Sequence, residues 1–239
     1  SRLLLLRKIR NQEQGQPAGM IEENVKSLLG SLSVNPYGEK VTVVAAVKTQ
    51  TPEDINAAIR AGITDIGDNR VQEFTQKYAA IEGNPKRHFI GRLQTNKIKY
   101  LIGKVDLYHS VDRIDLAEEL SLAGHKKGAS LNILLQVNIG NEVTKGGFEF
   151  DKLFSAYERI AAMPALKIKG LMAMLPASDD AALLSSLARK MRTAYDKLKD
   201  GDPGISVLSM GMSGDYRLCI DAGSNMIRLG TAVFGKRDV

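Results

Sequence analysis

A lysine, an arginine and two turns of small residues are the groups in this 239-residue chain whose types and spacing could do chemistry. Lys48 directly follows the apolar run VTVVAAV at 41–47, which places its amine at a strand end with its stem among apolar neighbours. Partial desolvation favours the neutral amine, the form that adds to an aldehyde or ketone to give a Schiff base. A solvated lysine at a strand end is the plainer reading, and position alone leaves both open. Near the C-terminus, LSMGMSGD at 208–215 and IRLGTA at 227–232 each put small residues and a hydroxyl just after a strand, at the opening of a helix. Free backbone N–H groups and the helix dipole favour an anion there. Either stretch alone could be a tight turn that needs glycine for its backbone; the pair points to phosphate. With Arg228 two residues before Gly230 and facing inward, the set describes a pocket for a phosphorylated carbonyl compound, of which pyridoxal phosphate is the obvious one.

The elements that must position these groups alternate regularly from residue 20 onward. Strands are predicted at 41–47, 64–67, 87–91, 105–109, 131–139, 166–174, 206–211 and 226–230, several of them nearly continuous apolar runs, as strands buried on both faces require. Helical segments follow each. Thr51-Pro52-Glu53-Asp54 supplies an N-cap, a proline in the first turn and two acids, with Gly62 where that helix should end. Ser178-Asp179-Asp180 opens a long amphipathic helix with Leu183, Leu184, Leu187, Met191, Tyr195 and Leu198 on its apolar face. Eight βα units argue for a single (β/α)8 TIM barrel with an extra N-terminal helix at 20–32; an open doubly wound sheet is the alternative. A barrel gathers function at the C-terminal ends of its strands, and phosphate commonly at the loops after strands seven and eight. Those ends carry Lys48, Asn69, residues 88–92, Ser110, Asn138, Met174, residues 209–213 and residues 230–231.

Composition excludes several classes. A hydrophobic fraction of 44% with 25% charged residues is that of a globular chain. A lone cysteine, Cys219, excludes an internal disulfide framework and makes a reducing, cytoplasmic setting the default. The Leu3–Leu6 run is too short for a signal core or a membrane span. Residues 1–19 read as an extension or leader ahead of a domain at 20–239, and they hold +3 of the formal +6 charge. A nucleic-acid module fits poorly: there is no Trp, and aromatic residues make up only 5%. His88, His109 and His125 lack metal-ligand spacing, so no metal is expected. The first two read as structural histidines that could also line the pocket, and His125 as a helix-end residue. Lys145 reads as a solvated loop lysine, with closure over the site as the alternative. Arg92, Lys97 and Lys99 read as a basic helix face at the rim.

Seven collinear motifs then carry a resemblance over the whole domain: AVKTQTPEDINAAIRAG at 46–62, IGDNRVQE at 66–73, HFIGRLQTNK at 88–97, HSVDR at 109–113, LLQVNIGNEVTKGGF at 134–148, KIKGLMAM at 167–174, and SMGMSGDYRLCIDAGSNMIRLGTAVFG at 209–235. The chain resembles the pyridoxal phosphate homeostasis protein family, relatives of the barrel domain of alanine racemase. The resemblance implies a pyridoxal phosphate aldimine on Lys48, phosphate held by Ser213, Gly230 and Thr231, the ring nitrogen facing Arg228, and Asn69 as a pocket asparagine. Two positions depart from the family pattern: Val47 stands where Ser is usual before the lysine, and Asp68 where Glu is usual before the asparagine. An arginine at the pyridine nitrogen keeps it unprotonated and weakens the electron sink. A racemase also needs an acid/base on the cofactor's other face. In alanine racemases it comes from a C-terminal β domain of a partner subunit, whereas this chain ends at Val239, just after the last strand. The expectation is a monomeric carrier or buffer of pyridoxal phosphate in vitamin B6 homeostasis, with apo pyridoxal phosphate enzymes as recipients, and no nucleic acid or membrane partner. A racemase-like enzyme is the alternative.

Overall fold

A computed structural model describes residues 18–32 and 34–236; the extension expected at the N-terminus lies almost wholly outside the described residues. The strands are β1 (Thr42–Ala46), β2 (Asp65–Asp68), β3 (Lys86–Phe89), β4 (Leu107–Val111), β5 (Leu131–Asn138), the two-residue β6 (Phe148–Glu149), β7 (Leu166–Ala173), β8 (Val207–Met210) and β9 (Met226–Leu229). The helices are α1 (Ala18–Ser31), α2 (Pro52–Arg60), α3 (Val71–Lys77), α4 (Ile114–Lys127), α5 (Leu153–Ala161), α6 (Ala181–Gly201), α7 (Tyr216–Asp221) and α8 (Thr231–Phe234). Every strand pairing is parallel, in the order β4-β3-β2-β1-β9-β8-β7-β5, and a β4–β5 pairing closes the ring. The sheet is a closed eight-stranded (β/α)8 barrel, as the eight βα units predict. β6, which the sequence pattern does not announce, adds a short parallel pairing at the end of β5.

Local chemistry explains most boundaries. Thr51 Oγ1 accepts from the Asp54 N–H at 3.2 Å and Pro52 occupies the first turn, so α2 begins where its cap dictates. Asp180 caps α6 by accepting from the Leu183 N–H at 3.0 Å. α6 buries Leu184, Met191, Tyr195 and Leu198, but Leu183, in its first turn, is exposed. α4 stops at Gly128, whose φ of 61° is left-handed. Two expectations shift: the fourth strand begins two residues later than its apolar pattern suggests, and the segment after β3 is a 3-10 helix at Thr95–Tyr100 rather than an α-helix.

Burial divides into a shell and an interior. Between the sheet and its helices, β-strand side chains such as Ile133, Leu135 and Leu171 pack against Leu116, Leu120, Ile160 and Tyr195. α1 sets Ile21, Val25 and Leu28 in a second cluster with Ile55 and Ala58 of α2 and with Val233 and Phe234 of α8. Inside the ring, Val44, Leu107, Leu134, Met172 and Met226 form an apolar cluster drawn from five strands. The barrel is therefore a packed core, and its polar interior groups need partners of their own.

Candidate functional site

Strand order brings the expected residues to one side of the barrel mouth. β8, β9, β1 and β2 are consecutive neighbours. Ser213 follows β8, Gly230 and Thr231 follow β9, Lys48 follows β1 and Asn69 follows β2. β9 pairs with β1 through Ala45 and Leu229, and the Arg228 N–H donates to the Gly211 carbonyl at 2.9 Å, which joins the two glycine turns. Residues scattered over 184 positions of sequence thus share four contiguous strand ends.

The turn that carries Lys48 is held from outside the strand. The Val47 N–H donates to the Gly67 carbonyl at 2.9 Å, which continues the β1–β2 ladder one residue past β1. Thr49 then adopts a left-handed φ of 61°, costly for a β-branched residue. Two side chains one turn apart on α3 grip this bend: the Glu73 carboxylate accepts from the Thr49 N–H at 2.8 Å, and Lys77 Nζ donates to the Val47 carbonyl at 2.8 Å. Lys77 is itself 3.4 Å from Asp68 and 3.7 Å from Glu73. The peptide groups flanking Lys48 are fixed, while its side chain is exposed rather than sheltered among apolar neighbours.

The phosphate-type turns are open. Ser213 and Thr231 are exposed, an added Cβ at Gly214 meets nothing within 4 Å, and one at Gly230 meets only Ala46, at 3.8 Å. Between these turns and the Lys48 strand lies Arg228, buried and directed into the barrel, with Nη1 donating to Ser209 Oγ at 2.6 Å and Nη2 to the Ala173 carbonyl at 3.1 Å. Burial lowers its pKa to about 10, so it is a cation at neutral pH. Two of its five N–H donors are committed by these contacts.

The family model "Alanine racemase, N-terminal domain" matches residues 20–238. A pyridoxal phosphate homeostasis protein of Aquifex aeolicus is 41% identical over 197 residues, 82% of this chain and 86% of that one. The protein of the same name in Escherichia coli is 36% identical over 204 residues, 84% of this chain and 87% of the other. The chain belongs to the pyridoxal phosphate homeostasis protein family. Among solved structures, PipY of Synechococcus elongatus with pyridoxal phosphate bound is 32% identical, with a TM-score of 0.80 over 90% of this chain and 100% of that one. An alanine racemase of Clostridium difficile, at 13% identity and a TM-score of 0.72 over 93% of this chain and 57% of the other, shares the fold.

Val47 and Asp68 both lie at the bend under Lys48. Val47 is buried and bonded through its backbone on both sides. Asp68 is buried, its carboxyl pushed above the ordinary range by that burial and partly restored by Lys77. Asn69 is half-buried and lines a cavity of about 1040 Å³ over the loops after β2, β3 and β4, together with Arg70, Arg92, Gln94, Lys97 and Arg113. Gly91 lets the loop after β3 close on Asn69, because a Cβ there would lie 1.9 Å from the Asn69 carbonyl oxygen. The cations of this rim, read from sequence as a helix face, project from a loop and a 3-10 turn. Lys145 is tied down rather than free: its Nζ sits 2.6 Å from Glu142 and donates to the Leu175 carbonyl at 3.2 Å. His88 and His109 are buried beneath the mouth, bonded to each other. Sequence reasoning missed Glu73 and Lys77; their i, i+4 spacing on a helix that follows a strand end was the available signal.

Proposed function

We propose that this protein binds pyridoxal 5'-phosphate reversibly on Lys48 and carries or buffers it, without a dedicated turnover reaction. The observation that carries the reading is the placement of a buried cationic Arg228 between the strand that ends in an exposed lysine and the turns that hold Ser213, Gly230 and Thr231. The residues fit the cofactor: Ser213, Gly230 and Thr231 would take the phosphate with hydroxyl and backbone donors, Arg228 would donate to the ring nitrogen, and Asn69 would border the ring. Lys48 would hold the cofactor through its amine, and the aldehyde would supply a reversible carbonyl–amine condensation, with one water released on capture and taken up on release. An exposed lysine on a fixed backbone suits such exchange. Bound pyridoxal phosphate offers an electron sink through its ring, and a donor cation at the ring nitrogen keeps that nitrogen an unprotonated acceptor, which favours holding over carbanion chemistry. The relatives' common name and the bound cofactor in PipY support this reading.

The same proposal takes apo pyridoxal phosphate enzymes as recipients, a monomer as the working form, and the cytoplasm as its place, the last supported by a buried, unbridged Cys219. Titration of the protein with pyridoxal phosphate should raise a visible absorption band that Lys48→Ala abolishes. Racemisation or decarboxylation of an amino acid by the loaded protein, lost in Lys48→Ala, would replace the carrier with an enzyme.

A further inference from the structure

Beneath the mouth, a row of hydrogen-bonded side chains crosses the barrel interior from β2 to β9. Asp65 Oδ1 lies 2.8 Å from His88 Nε2, His88 Nδ1 lies 2.8 Å from His109 Nε2, His109 Nδ1 lies 3.0 Å from Ser209 Oγ, and Arg228 Nη1 donates to Ser209 Oγ at 2.6 Å. All five residues are buried, none more than 6% exposed. The two ends fix the direction of the row, since a guanidinium only donates and a carboxylate only accepts. With both imidazoles neutral, one arrangement satisfies every link. The Ser209 O–H donates to His109 Nδ1, the His109 Nε2–H donates to His88 Nδ1, and the His88 Nε2–H donates to Asp65. A second arrangement requires an extra proton on the row, with His88 doubly protonated and His109 donating back to Ser209.

Packing alone does not call for this row. The interior cluster of Val44, Leu107, Leu134, Met172 and Met226 shows that apolar side chains can fill this barrel, and a buried polar group costs free energy unless every bond is made. The row also ends on the one group that the proposed function directs at the cofactor ring. We infer that Asp65, His88, His109 and Ser209 are positioning residues that orient the Arg228 guanidinium and set how strongly it donates at the ring nitrogen. Ser209 acts by contact, and Asp65 acts through three intervening residues as the remote counter-charge. The other groups that act on Arg228 are Asp215 and Cys219, from the β8–α7 side.

The inference rests on the carrier reading for its consequence but not for its arrangement, so the test has two arms. In the cofactor-free chain, ring-nitrogen NMR should find His88 and His109 as neutral Nε2–H tautomers, and Asp65→Asn should move the His109 signals across two links. With pyridoxal phosphate added, Ser209→Ala should shift the pH midpoint of the visible band by roughly one unit, as expected on losing a direct hydrogen bond. Asp65→Asn should shift it by less and in the same direction, and Ser209→Thr should restore it. A doubly protonated His88 in the unmutated chain at neutral pH, or His109 signals indifferent to Asp65→Asn, overturns the row. Unshifted midpoints in variants that still capture the cofactor overturn the positioning role. Absence of a visible band in the unmutated protein would sink the carrier reading and leave the NMR arm decisive for the row. If Ser209→Ala does not fold, Asp65→Asn and the tautomers of the unmutated chain still decide.

Discussion

His109 and Asp65 belong to one buried row of five bonded side chains, and their titration gives the residue scale its sharpest consequence. Burial, with smaller contributions from His88 and Arg228, holds His109 well below the ordinary imidazole range. The folded chain therefore keeps that ring neutral where the unfolded chain protonates it. Below pH ~6.5 the unfolded state binds more protons, so stability falls with falling pH, by up to about 1.4 kcal/mol per pH unit from this one group. Asp65 acts in a lower window. Burial pushes its carboxyl up, but the hydrogen bonds from His88 and Thr64 outweigh that and hold it below 3.8. Its contribution is present above 3.8 and is lost only as the pH drops beneath it. Urea unfolding should thus show a clear loss of stability from pH 7.5 to 5.5, with a slope that His109→Gln reduces. Equal stability of the unmutated chain at both pH values would contradict a neutral, buried His109.

At the scale of the element, α3 is the part that makes a strand end into a presentation device. Its Glu73 and Lys77 hold the backbone on either side of Lys48 at 2.8 Å each, and the left-handed Thr49 persists because these contacts over-determine it. Glu73→Ala removes one half-buried acceptor, so its cost to global stability should be about 1 kcal/mol. Its effect on capture should be larger, because the lysine then swings on an unpinned bend. The expected outcome is a severalfold weaker apparent affinity for pyridoxal phosphate in a spectroscopic titration, beside a nearly unchanged urea midpoint. Equal loss in both measurements would make Glu73 a stability residue only. The α3 contacts were not legible in the sequence because they join residues 24 and 30 apart, and the i, i+4 spacing of Glu73 and Lys77 does not say which backbone groups they meet. The apolar strand runs were legible, since a strand buried on both faces has little choice of residue.

For the whole molecule, the long α6 is stitched back to the segment before β1. Arg192 reaches Glu39 at 2.6 Å, Asp196 at 2.9 Å and the Gly223 carbonyl at 2.9 Å, with its guanidinium over the Tyr37 ring. Its side chain is only 7% exposed. Arg192→Met should cost on the order of 3 kcal/mol, as does leaving one partner of a buried pair alone, while the protein that remains folded captures pyridoxal phosphate as before. A Tm unchanged by this substitution would count against the stitch. Closure of the barrel could be anticipated from eight buried strands, and the mouth from the polar residues at their ends. The interior row could not, because His88 and His109 each stand in a short strand whose pattern does not say what lies across the ring. In the proposed function one lysine, Lys48, set by β1 at this mouth, holds the cofactor. Borohydride reduction of the pyridoxal phosphate-loaded protein followed by peptide mapping tests it most directly. The reduced cofactor is expected on the peptide containing Lys48; its appearance on another lysine, or on none, would contradict the account.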